Sequence, residues 1–173
     1  MITDILNSQA KLGVLVFLGM VSVIATVLAF EHLGGYIPCA LCLEQRVPYY
    51  LGIPVAFFAM LGSYYRWPQF FLRGLFAITA LLVLWSLVLA AYHSGVEWAW
   101  WVGPSECAAT GSSTTAPMSA DNLLGQLKFS KPPACDEAAG RFLGISFAGW
   151  NVVVSAILAT LAFRAAGLSP KSR

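Results

Sequence analysis

Four stretches of the chain contain no Asp, Glu, Lys or Arg: Leu12–Phe30, Val47–Tyr65, Gly74–Val96 and Phe142–Phe163, none shorter than 19 residues. At about 1.5 Å of rise per residue, each reaches roughly 28 Å or further as a helix, enough to cross the hydrocarbon core of a bilayer. Hydrocarbon offers backbone N–H and C=O groups no partner, so such runs are expected as helices. The pattern predicts one all-α membrane domain over residues 1–173. It is a four-transmembrane-helix bundle with spans at about 12–30, 47–65, 74–96 and 142–163. The first run reads as a span and not a signal peptide: it is too long, lacks a basic n-region and is followed by no small-residue cleavage site.

Between these runs the polar and helix-breaking positions set the loops. Gly34, Gly35 and Pro38 interrupt the chain in a first outer loop at about 31–46. The segment SYYRWPQFFLR makes a tight inner connection. The second outer loop, about 97–141, is the sizeable polar region. Within it SADNLLGQLKF (119–129) predicts a short interfacial helix: Ser119 or Asp121 caps it, and Leu123, Leu124 and Leu127 share one face. The stretch GSSTTAP (111–117) reads as flexible linker.

Composition agrees with that picture. Hydrophobic residues make up 58% of the chain and charged residues only 10%, against about 25% charged in a typical soluble domain. The net charge of +2 is small and dispersed, which argues against a nucleic-acid partner. The placement of Lys and Arg orients the bundle. Lys11, Arg66, Arg73, Arg164, Lys171 and Arg173 flank one side, whereas Arg46, Lys128, Lys131 and Arg141 are spread thinly among acids on the other. Both termini are expected in the cytoplasm, with both cysteine-bearing loops outside, in an oxidising compartment. Tyr64, Tyr65 and Trp67 suit an inner aromatic belt, and Trp98, Trp100 and Trp101 an outer one.

The candidate chemistry lies in four cysteines: Cys39 and Cys42 in PCALCLEQR, then Cys107 and Cys135 in the second loop. Zinc normally takes four compactly spaced ligands, commonly from two C-x₂-C knuckles. Only one knuckle is present, and His32 and His93 at helix ends are weak substitutes, so no metal is expected. Structural disulfides are a second use, with three connectivities open. A Cys39–Cys42 bridge closes too small a loop to restrict the unfolded chain much, yet suits a redox couple. Electron transfer is the third use. Cys42 is expected at or just before a helix N-terminus, which favours a thiolate. Arg46, four residues on, adds a permanent positive charge. Pro48 fits the first helical turn. With no haem motif or dinucleotide fingerprint, a bilayer-dissolved quinone is the natural electron acceptor.

These residues resemble the bacterial disulfide-bond formation protein B (DsbB) family of quinone reductases. The resemblance rests on PCALCLEQR (38–46), VEWAWWVGPSEC (96–107) and PPACDEAAGRFLGISFAGWN (132–151), together with the four-span topology. It implies a catalytic set of Cys39, Cys42, Cys107 and Cys135 in the bacterial inner membrane. Cys107 and Cys135 would form the loop disulfide that oxidises a periplasmic thioredoxin-like partner of the DsbA type. Cys135, once released, would attack Cys39. Cys42 would then pass electrons to ubiquinone or menaquinone, with Arg46 helping to bind the ring. Gly140 departs from the family, which often has an aromatic there, and Arg141 is a further polar candidate at the membrane surface. The alternative is a non-enzymatic four-helix membrane protein whose cysteines are structural disulfides or a metal clamp.

Overall fold

A computed structural model describes residues 8–103, 135, 138 and 140–168. Its elements are α1 (Gln9–His32), α2 (Ala40–Glu44), α3 (Val47–Tyr64), α4 (Gln69–Glu97), β1 (Arg141–Phe142), β2 (Ile145–Ser146) and α5 (Phe147–Gly167). Among the described residues, four helical stretches are long and apolar enough to cross a membrane: α1, α2 continued by α3, α4 and α5. Within their most apolar parts only 28–33% of residues are buried inside the protein. The exposed remainder is nonetheless apolar, including Leu15, Leu18, Phe58, Leu81, Val88 and Ile157. A soluble bundle turns a polar face outward; this one presents a surface that only lipid satisfies.

Packing is uneven around the bundle. α4 and α5 make the most extensive contact, followed by α3 with α4 and α1 with α3, and α1 with α5 is the least extensive of the four. The central core combines Val16 and Met20 of α1, Tyr49 and Ala56 of α3, Ala80 and Val83 of α4, and Leu158 and Ala162 of α5. Nearer the chain termini, Leu12, Ala59, Phe76 and Ala165 form a second, wholly apolar cluster. Small residues bring the helices close, as expected where lipid supplies no hydrophobic drive between spans. A Cβ at Gly13 would stand 3.1 Å from the Met60 backbone, and one at Gly52 would stand 2.5 Å from the Met20 methyl.

The connections follow local chemistry. Pro48 sits in the first turn of α3, where a missing N–H costs nothing. α3 closes with the Trp67 N–H on the Gly62 carbonyl at 2.9 Å, and Arg66 takes a left-handed φ of 56° to turn the chain. The expected start of the last span at Phe142 is corrected. Residues 141–146 form a two-residue antiparallel ladder, Arg141 opposite Ser146 and Phe142 opposite Ile145. Leu143 and Gly144 both have positive φ (53° and 82°), as the tightest hairpins require. α5 then begins at Phe147, where the Ser146 hydroxyl accepts the Gly149 N–H at 3.1 Å. Hydropathy alone ran through this turn because Phe142, Leu143 and Ile145 are all apolar. The expected interfacial helix at 119–129, the linker at 111–117 and Cys107 lie outside the described residues.

Candidate functional site

The site is assembled at the end of the bundle where α2 begins. Pro38 delivers the chain in extended form, and Cys39 takes the N-cap of α2 with φ −76° and ψ 170°. Its sulfur accepts the Cys42 N–H at 3.3 Å. The sequence put Cys42 at a helix N-terminus. The structure gives that cap to Cys39 and seats Cys42 in the first turn of a separate five-residue helix. Both cysteines are free thiols, with sulfurs 2.8 Å apart, a short movement from the ~2.05 Å of a disulfide. The Cys39 thiol is held far below the usual thiol range, at about 4. The Cys42 thiol donating to it is the largest cause; burial opposes the shift, while the His93 imidazole and the Cys42 N–H reinforce it.

His93 arrives from α4, 54 residues away in the chain, with Nε2 3.7 Å from the Cys39 sulfur. It is 3% exposed, so its other nitrogen needs a partner in the protein interior. The Gln45 side-chain amide meets Nδ1 at 2.7 Å. The Gln45 carbonyl oxygen in turn accepts from the Asn151 amide at 2.7 Å, and the Asn151 oxygen accepts from the Tyr49 hydroxyl at 2.8 Å and the Ser155 hydroxyl at 3.1 Å. Read in donor order, this chain delivers an N–H to His93 Nδ1 and so leaves the imidazole proton on Nε2, toward Cys39. Glu97, one turn beyond His93, lies with Oε1 3.8 Å from the same Nε2 and is 4% exposed. Among the described residues its second oxygen has no hydrogen-bond partner.

Beside these residues a cavity of about 660 Å³ opens between α1 and α5, where the spans touch least. Val23, Val27, Phe147 and Val154 supply apolar walls, and Cys42, Gln45, Arg46, Tyr49, His93 and Asn151 gather the polar groups. Cys39 is not among its lining residues. Arg46, expected to add a permanent positive charge, donates to Glu31 at 2.5 Å. Its charge is therefore shared with an acid from the end of α1, a partner that sequence reasoning missed. Phe30, Tyr36 and Phe147 line the cavity as a cluster of edge-to-face and tilted rings, with centroids 4.8 to 5.8 Å apart. They also explain Gly140: a Cβ there would lie 2.6 Å from the Phe147 ring and 3.1 Å from that of Tyr36.

Cys39 faces the other way. With Leu41, Val96 and Cys135 it forms a buried cluster, bordered by Cys42 and Tyr92. Cys135 is 1% exposed and disulfide-bonded. Of the expected site residues, the structure thus brings Cys39, Cys42, Arg46 and Cys135 together. His32 is exposed in the last turn of α1, and Arg141 is exposed on β1. His93 lies within the site although the sequence set it aside as a ligand. Gln45, Asn151, Glu31 and Glu97 were not anticipated. The signal available for them was the polar residue type itself, inside or at the edge of runs that are otherwise apolar.

Comparison with known proteins places the chain in a family. The family described as "Disulfide bond formation protein DsbB" matches residues 9–165. A Disulfide bond formation protein B of Polaromonas naphthalenivorans is 28% identical over 160 residues, 91% of each chain. Another of that name, from Aromatoleum aromaticum, is 28% identical over 153 residues, covering 84% of this chain and 87% of its own. The uncharacterized protein RP370 of Rickettsia prowazekii is also 28% identical, over 80% of this chain and 77% of its own. No solved structure gives a significant match.

Proposed function

The chain belongs to the DsbB family of membrane disulfide bond formation proteins, and from that premise we propose that it reoxidises a periplasmic DsbA-type dithiol protein and passes the electrons to a membrane quinone. The observation that carries the reading is the division of the CxxC pair between two surroundings. Cys39 is buried with the disulfide-bonded Cys135, whereas Cys42 lines the cavity between α1 and α5.

In this reading Cys107 and Cys135 are the disulfide that meets the partner. A partner thiolate attacks Cys107, and the Cys107–Cys135 bond breaks to release Cys135 as a thiolate. Cys135 attacks the Cys39 sulfur of a Cys39–Cys42 disulfide, so Cys42 leaves with the electron pair. The partner's second thiol resolves its mixed disulfide and frees Cys107. Re-forming both internal disulfides removes two electrons, which a quinone accepts together with two protons. The cavity supports that acceptor: it lies between the apolar spans α1 and α5, its walls are apolar, and its polar groups cluster at the Cys42 end. Arg46, steadied by Glu31, holds a donor pair there for an oxygen that gains negative charge. Either ubiquinone or menaquinone satisfies this chemistry.

The Lys and Arg distribution supports cytoplasmic termini and a periplasmic cysteine end. The deciding experiment mixes the purified, fully oxidised protein with a reduced thioredoxin-like dithiol protein and a soluble quinone, and follows quinone absorbance. Stoichiometric quinone reduction coupled to disulfide formation in the partner is expected. No reduction by protein whose four cysteines began oxidised overturns the reading.

A further inference from the structure

The sequence offered one C-x₂-C knuckle and no second, which spoke against a metal. The fold supplies a third ligand from a different helix. Among the described residues, Cys39, Cys42 and His93 are the one group of three whose ligand atoms all lie within 4.8 Å of one another. The geometry points to a metal site in the reduced protein, in which the two thiolates and His93 Nε2 hold a borderline-to-soft divalent ion of the Zn²⁺ or Cd²⁺ class.

The distances suit such an ion. Zn–S bonds of about 2.3 Å and Zn–N bonds of about 2.0 Å at tetrahedral angles separate S from N by roughly 3.5 Å and S from S by roughly 3.8 Å. Cys39 Sγ and His93 Nε2 already stand 3.7 Å apart. The two sulfurs, at 2.8 Å, need to open by about 1 Å, within reach of a side-chain torsion. Binding forms two S–metal bonds and one N–metal bond and releases the thiol protons; no electron moves. A fourth position remains on the cavity side, which Cys42 already lines. Water suffices for it. The buried Glu97 carboxylate, 3.8 Å from Nε2 with one oxygen unpartnered among the described residues, supplies negative charge beside the ion.

An outer shell is also in place. Metal on Nε2 leaves the imidazole hydrogen on Nδ1, which then needs an acceptor. Half-turns of the Gln45 and Asn151 amides provide one: Gln45 Oε1 accepts from Nδ1, and the hydroxyls of Tyr49 and Ser155 accept from Asn151 as readily as they now donate. The site is redox-gated, because a Cys39–Cys42 disulfide has no thiolate to offer. A bound ion caps both sulfurs and holds the pair reduced. Arrest of turnover by the ion rests on the proposed function; binding itself does not.

The test uses the Cys107→Ser/Cys135→Ser chain in detergent, reduced by a phosphine, titrated with Zn²⁺ against a chromophoric chelator. One ion per chain is expected, together with protection of Cys39 and Cys42 from maleimide. X-ray absorption of the zinc form should show two sulfurs and one imidazole. His93→Ala should weaken binding by at least about tenfold, the scale of losing even an outer-shell partner. Absence of binding, an unchanged affinity in His93→Ala, or a zinc spectrum without imidazole each overturn the proposal. The spectrum is read on the protein with His93 intact, so it decides the matter even if the variant fails to fold.

Discussion

The two ends of the bundle bury opposite kinds of residue. Toward the termini, Leu12, Ala59, Phe76 and Ala165 pack without a polar atom among their side chains, and Ser63 and Thr79 nearby simply return their hydroxyls to carbonyls one turn back. At the cysteine end, Gln45, Ser86, His93 and Ser155 are buried and joined through Tyr49 and Asn151 across three helices. Burying polar groups away from water is unfavourable unless every partner is found. Apart from Gln9, whose amide donates to the Ala165 carbonyl at 3.0 Å, and Gln69 beside it, the terminal end can be understood as packing. The cysteine end carries groups that packing does not require, arranged around two thiols and a cavity.

Substitutions at each end should therefore fail in different ways. The largest effect is expected from Cys42→Ser, which should reduce quinone turnover to background while the protein remains monodisperse and helical by circular dichroism. Misfolding of this variant would instead assign the pair a structural role. Phe76→Ala at the opposite end should destabilise the fold by about 3–5 kcal/mol, read from thermal unfolding, with an unchanged quinone KM in the fraction that remains folded. Asn151→Leu should cost about 1–3 kcal/mol, because the Gln45 oxygen and the Tyr49 hydroxyl lose their shared partner. Unlike Phe76→Ala, it should also change the pH profile of turnover.

Arg46→Gln should raise the apparent quinone KM by about tenfold or more, since a hydrogen bond to a charged group is worth about 1.5–3 kcal/mol. An unchanged KM would reduce Arg46 to a membrane anchor paired with Glu31. The smallest effect concerns pH. The Cys39 thiol is depressed to about 4, so the thiolate persists as pH falls from neutral and is lost only near that value. Its stabilisation of the reduced form is present above the ordinary thiol range and disappears as pH drops through about 4. Alkylation of reduced Cys39 should accordingly stay near its plateau rate at pH 6, where an ordinary cysteine has slowed more than a hundredfold. His93→Ala should move the fall to higher pH.

Of the architecture, the spans were legible because a bilayer imposes a length and a composition on any segment that crosses it. The exception at residues 142–146 shows the limit of that signal: hydropathy cannot distinguish an apolar hairpin from an apolar helix turn, and the left-handed φ at Leu143 and Gly144 is a matter of backbone conformation. Of the site, Cys39, Cys42 and Arg46 were readable from their spacing within nine residues, because local chain geometry keeps such neighbours together.

His93, Glu31, Asn151 and Cys135 lie on other segments, and no spacing rule brings them to Cys39 or Arg46. The sequence by itself determined a membrane bundle with a redox-capable CxxC at one end, since both follow from local pattern. Only the tertiary structure decided which cysteine caps the helix, which one faces the cavity, and that the imidazole 54 residues away stands beside the pair. Those outcomes depend on how the spans pack against one another, and packing is a property of four helices at once.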